Sequence, residues 1–310
     1  SFPTRRSSDL SNVWRKENRE VHKFLRAIGF SDITKKDLEM ILDEVITRPE
    51  IMKITKDSEG NEFAELSGSF AANAGITVRG TYQEDDSFHM DYYYPYVFGT
   101  SITTNEQIDV EKHAEKESYA GVCDEVNLGV TLIFYIQNVA DYLAETNRHL
   151  SKIHYGAMLA GLSTEGKILC PVVERKKNDV PAIQKNDRHN QLIAQAREGD
   201  EDAIESLTLE DMDTYALLSQ RVMKEDIFSI VKSTFMPFGI ESDQYTVLGE
   251  IIDCVTMENK LTHEKLYGMK LLCNNIQFDV CINEKDLLGE PAIGRRFRGN
   301  VWMQGNLCLE

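Results

Sequence analysis

The chain has 310 residues, 42% of them apolar and 27% charged, with a formal net charge of −17 and a pI of about 4.9. That length carries a substantial core and up to two domains, and the composition is that of an ordinary globular protein. The acidic balance disfavours nucleic acid and anionic membrane, which need a basic footprint. No stretch reaches the ~20 consecutive apolar residues of a membrane span, so no membrane partner is expected.

Residues 1–10, SFPTRRSSDL, resemble a translated short-read sequencing adapter, and Arg15–Glu20 have the purine-rich codons of a ribosome-binding site. Residues 1–20 are therefore expected to be a non-native leader, with Val21 the true start. Each leading decapeptide carries a net +1, so the chain from Val21 stands at −19 against −17 for the whole.

A helix is predicted over Thr34–Thr47: Thr34 can cap it with Asp37, and Leu38, Ile41, Leu42, Val45 and Ile46 share a face, until Pro49 stops it. The period then drops to two. Ile51–Lys56 and Glu62–Leu66 flank the turn at Asp57–Asn61, and Ile76–Tyr82 and Phe88–Tyr94 flank Glu84–Ser87, which predicts two antiparallel hairpins.

Val126–Leu143 holds the densest apolar run, and the spacing of Leu132, Ile136, Val139 and Leu143 is helical. It predicts a short strand over Val126–Val130 running into a helix that ends near Arg148. A further hairpin is predicted from Tyr155–Leu162 and Lys167–Val172 around Ser163–Gly166. Glu174–Asn190, polar and aperiodic, reads as a linker. Helices are expected next: Gln191–Arg197 stopped by Gly199, another capped by Asp200, another opened by Thr208, and a last one carrying Ile227, Ile230, Val231 and Phe235.

Beyond Gln244 strands return at Tyr245–Val255, Leu266–Cys273, Ile276–Ile282 and Arg295–Gln304. The predicted fold class is α+β: an antiparallel-sheet N-terminal domain (21–172), a linker and helical section (173–242), and a small OB-like β-barrel (243–310).

The fragments HKFLRAIGFSDI, GITVRGTY, HAEKESYAGVCD, GDEDAIESLTLEDMDTY and DLLGEPAIGRRFRGNVWMQG are similar to those of a bacterial family known as domain of unknown function 3881, found in gut-type Firmicutes anaerobes. The resemblance covers nearly the whole chain after position 20. It implies a cytosolic bacterial protein and assigns no catalytic residue. Scattered Cys123, Cys170, Cys254, Cys273, Cys281 and Cys308, with no C-x-x-C pair, agree with a cytoplasmic setting.

Candidate chemistry concentrates at residues 113–124. His113-Ala114-Glu115 matches half of a zinc deaminase signature, but the P-C-x-x-C half is missing and Cys170-Pro171 has the wrong order. On an extended chain His113, Glu115 and Glu117 share a face that Cys123 and Asp124 could rejoin; a solvated charged loop is the plainer reading. Phe88–Phe98 is aromatic-rich, either a stacking surface or a strand over a core. Arg295, Arg296 and Arg298 with Trp302 form the one basic-aromatic patch, with Phe297 expected inward and Arg296 and Arg298 outward. Ala194–Leu207 reads as an αα-hairpin.

No phosphate loop, dinucleotide fingerprint, nucleophile elbow or H-E-x-x-H is written, so no cofactor and no metal are expected. Two functions stay open: a non-enzymatic binding or adaptor protein, meeting an acidic protein partner through the arginines, and an enzyme at the His113–Asp124 cluster. Single-stranded nucleic-acid binding by the C-terminal strands is a third, disfavoured by the charge. The oligomeric state is left open.

Overall fold

Thr34 opens the first helix as its sequence demands. Its hydroxyl accepts the Asp37 N–H, while the Asp37 carboxylate accepts the Thr34 N–H, a reciprocal box worth about 1 kcal/mol. Helix α1 (Lys35–Thr47) turns Leu38, Leu42 and Val45 inward. The computed structural model describes residues 21–112, 117–148, 154–172, 195, 200, 202–203, 205–206, 231–240 and 242–309. The expected leader (1–20) and linker (174–190), and most of the helices placed at 191–230, lie outside the described residues.

Strands β1 (Ile51–Lys56), β2 (Glu62–Ala71), β3 (Ala74–Tyr82) and β4 (Phe88–Val97) form an antiparallel meander in the order β1-β2-β3-β4. Both expected hairpins are present. In the first turn Asp57 accepts the Glu59 and Asn61 N–H groups. Leu42, Leu66, Ile76 and Val78 share one buried cluster with Phe24 and Trp302.

A second sheet takes in β5 (Thr104–Lys112), β6 (Tyr119–Glu125), β7 (Val130–Ile136), β8 (His154–Leu169), β9 (Thr234–Pro237), β10 (Gln244–Glu258), β11 (Lys265–Cys273), β12 (Ile276–Asn283), β13 (Leu287–Leu288) and β14 (Arg296–Leu307). Its spine is the antiparallel β8–β14 ladder, from Ala157↔Leu307 to Leu169↔Arg296. At one end of the spine the pairings run β8–β5–β6–β7 and return to β14. At the other they run β8–β12–β11–β10 and return to β14. Two rings of pairings thus share one ribbon. Their common core includes Leu132, Phe134 and Leu159 from the first, and Val247, Phe278 and Phe297 from the second. Helix α2 (Val139–Asn147) follows β7 and lies against β1.

This architecture corrects the α+β expectation. Strands dominate the described chain and lie in two sheets. The four C-terminal strands are where the alternation put them, but they make no barrel of their own, because β8 supplies the edge for both β12 and β14. The hairpin expected over Tyr155–Val172 is the single strand β8. Its supposed turn is a bulge, where the Ser163 hydroxyl donates to the carbonyls of Glu165 and Asn300 while β14 stays paired past it.

The helical reading of Leu132–Ile136 is corrected too. Residues 126–129 form a turn, and Leu132, Phe134 and Ile136 alternate into the core as β7. β-Branched and aromatic residues there favour the pleated strand over the helical spacing that also fits. The helix does end at Arg148. Phe235, expected on a helix, lies in β9. In the middle section Asp200 accepts the Asp202 and Ala203 N–H groups, as a helix cap should. Among the described residues no helix is long and apolar enough to cross a membrane.

Candidate functional site

Of the reactive cluster, His113 and Glu115 lie outside the described residues. Glu117 is buried and held on all sides. Oε1 accepts from the Ser58 hydroxyl (2.5 Å) and Lys112 Nζ (2.7 Å), Oε2 from the Tyr119 hydroxyl, and its carbonyl oxygen from the Tyr92 hydroxyl (2.7 Å). Burial pushes its carboxyl up, but the bonds from Lys112, Ser58 and Tyr119 outweigh it and hold it below the usual range. Cys123 faces the core, where burial and then the Glu125 charge push its thiol up to about 11. Asp124, the next residue on β6, points to the opposite, exposed face and accepts from the Thr131 hydroxyl at 2.9 Å. The described members thus take separate partners. Among the described residues no three His, Cys, Asp or Glu side chains are grouped to hold a metal.

The basic patch is divided between surface and interior. Arg295 is exposed and donates to the Glu290 carbonyl (2.7 Å). Arg296, expected outward, is buried at the end of the spine, where it donates to the carbonyls of Cys170 (2.9 Å) and Val231 (2.6 Å). Arg298 is half-buried. Phe297 and Trp302 are buried; the indole N–H donates to Asp243 (2.7 Å) and the ring stacks on Phe24 at 5.3 Å.

In the aromatic strand a bulge at Asp91 changes the faces. Met90 lies opposite Gly80 and Tyr92 opposite Arg79, so Phe88 and Met90 leave the side taken by Tyr92 and Tyr94. Those two tyrosines surround Arg79, a fully buried cation between the sheets. Arg79 donates to the Tyr92, Tyr135 and Tyr94 hydroxyls and to the Ile136 and Gln137 carbonyls, and pairs with Glu65 at 3.0 Å. Glu65 also accepts the Ala140 N–H at the start of α2 (3.0 Å). This hub was missed in the sequence; its signal was a charge on the same alternating face in each of two apolar strands.

A surface groove of about 510 Å³ lies beside α1. One wall is the outer stripe of α1, with Asp37, Met40, Ile41 and Glu44 at helical spacing. The other is the β10–β11 connection at Leu261–Glu264, and Phe30 and Ile33 lie between. Met40 and Leu261, 55% and 50% exposed, present apolar surface to solvent.

The far wall is pinned. Buried Asn259 donates to the Ile28 carbonyl (2.7 Å) and accepts the Leu261 and Thr262 N–H groups, while the Thr262 hydroxyl donates to the Gly29 carbonyl (2.6 Å). Gly29 stands at φ +93°, and a Cβ there would sit 2.6 Å from that of Asn259, so glycine is required. Glu264 ties three segments, accepting from the Ser31 hydroxyl, Asn283 Nδ2 (2.6 Å) and Lys285 Nζ (2.7 Å). Burial pushes its carboxyl up, and these bonds more than reverse the shift.

Fold and groove together define the class: a strand-rich protein of two packed sheets with a preformed, acid-rimmed surface groove. The chain belongs to the family described as "Domain of unknown function, E. rectale Gene description (DUF3881)", whose model matches residues 25–305. No curated protein and no solved structure matches it.

Proposed function

We propose that this protein is a non-enzymatic binding protein that docks a segment of a partner polypeptide in the α1 groove. The observation that carries the reading is the pairing of exposed apolar walls with a backbone already fixed. Ordering a loop on binding costs affinity, and here Asn259, Thr262 and Glu264 have ordered it in advance. The groove is small and open, the format of a short docking motif and a weak, reversible contact.

The alternatives have less to rest on. An enzyme at residues 113–124 needs a nucleophile or base turned towards a substrate, whereas Glu117 is saturated and the Cys123 thiol is kept protonated. Stacking of a nucleic-acid base needs an open ring, and Trp302 spends its face on Phe24. An acidic partner at the arginines would meet Arg295 and half-buried Arg298, Arg296 being consumed internally.

The reading is tested by selecting a displayed library of random 12-residue peptides on the full chain and on the double variant M40E/L261E. Recovered peptides should bind the wild type and lose binding to the variant. Peptides that bind both equally would overturn the groove as the docking site.

A further inference from the structure

The rim of this groove is acidic, but its carboxylates are not equally available. Asp37 is spent on the Thr34 cap. Glu264 is saturated, and Asp32, at the same end, faces Lys285 at 3.4 Å. That end already holds its cation. At the other end Glu44 has no side-chain partner among the described residues, although it lines the groove.

Glu44 also sits in the last turn of α1, where the helix dipole is negative; that turn itself carries no basic residue, and Arg48 follows it as the exposed C-cap. Burial, and then the charge of Glu39, push the carboxyl of the neighbouring Asp43 up, as expected where negative charge accumulates. Between the two ends run Met40, Ile41 and Leu261. The groove therefore reads in one direction: a neutralised end, an apolar stretch, and an unfilled anionic end.

We propose, building on the docking reading above, that the occupant is a basic amphipathic segment. It seats a bulky apolar side chain between Met40 and Leu261 and places a Lys or Arg against Glu44. An acidic segment is rejected by the same rim, so charge sets the choice among partners and apolar contact gives most of the hold. The chain's net charge of −17 would add long-range attraction for such a partner.

The probe is a fluorescein-labelled, capped 12-residue helical peptide of Leu and Lys, with one sibling in which Gln replaces Lys and another in which Glu does. Anisotropy is read with the full chain at two salt concentrations. The Leu/Lys peptide should bind most tightly and weaken with salt, the Gln peptide more weakly, and the Glu peptide not at all. Glu44→Gln should weaken the Leu/Lys peptide about threefold, and Glu44→Lys roughly tenfold. Glu84→Gln, which changes net charge equally on the distant β3–β4 turn, should change nothing.

Equal loss with Glu44→Gln and Glu84→Gln would reduce the effect to net charge and overturn the role of Glu44. Leu/Gln binding as tight as Leu/Lys, abolished by M40E/L261E, would overturn the basic partner and leave the docking site standing. Binding untouched by M40E/L261E would overturn both. Failure of every peptide to bind the wild type would overturn the basic occupant, while the random library would still report on the groove.

Discussion

The Arg79 guanidinium, rooted in the first sheet, donates through Nη2 to the Gln137 carbonyl at the end of β7 in the second, at 2.8 Å. Nη2 also reaches the Ile136 carbonyl (3.1 Å) and Glu65, so one buried cation fastens β3 to β7 and, through Glu65, to the start of α2. Gln137 answers with its own side chain. Its amide donates to the Val97 carbonyl (2.9 Å), while Gln304 bonds the carbonyl of Pro95 and the N–H of Val97, closing the outer edge of β4.

Arg79→Met leaves Glu65 as an uncompensated buried charge and should cost about 3–5 kcal/mol in urea unfolding. The double replacement R79M/E65M should recover much of that loss, because no charge is then stranded. A single variant within about 0.5 kcal/mol of wild type would show that the pair does not hold the sheets.

His22 gives the fold a pH dependence. It caps the 3-10 helix Lys23–Ile28 through Nδ1 and sits 5.0 Å from the Trp302 ring; burial, and then Lys23, lower its pKa to about 4. Between about pH 6.5 and 4 the unfolded chain binds a proton that the folded imidazole refuses, so acidification favours unfolding. From pH 7.5 to 5 this one group should cost about 2 kcal/mol. His22→Phe should lose about 1 kcal/mol at pH 7.5 with the cap and then fall less steeply than wild type. Parallel pH profiles for the two proteins would contradict this.

Gly29→Ala should destabilise the chain by about 2 kcal/mol or more, since it forces an L side chain into the left-handed region and against Asn259. Faster amide exchange should follow at Leu261 and Thr262, whose N–H groups the Asn259 carboxamide holds. Unchanged exchange there would show that the groove wall is not set by this contact.

Local signals were legible in the sequence where the physics is local. The Thr34–Asp37 box, the Asp57 turn and the alternation of Ile276–Ile282 each involve neighbours within a few residues, and the first two stand. The alternation holds as far as Val280, beyond which Cys281 is buried as well, so both faces of β12 are covered there. Partner choice was not legible. Nothing near Ser163 tells that β14, more than a hundred residues away, carries the strand through its polar break. Val130–Ile136 fits two periods; its β-branched and aromatic residues lean to the strand, and the strands on either side fix it. The candidate groove was hidden for the same reason: Met40 and Leu261, which line it together, are more than two hundred residues apart in the chain.

The groove is tested most directly with full-length protein carrying ¹³C-methyl methionine, titrated with the Leu/Lys peptide and followed by NMR. Met40 and Met236 are similarly exposed, at 55% and 54%, but only Met40 lines the groove. The account expects the Met40 methyl signal to shift in a saturable way while that of Met236 stays in place, and the Met40 shift to vanish in L261E. A Met40 signal that does not move while the peptide binds, or that moves no more than Met236, would contradict it.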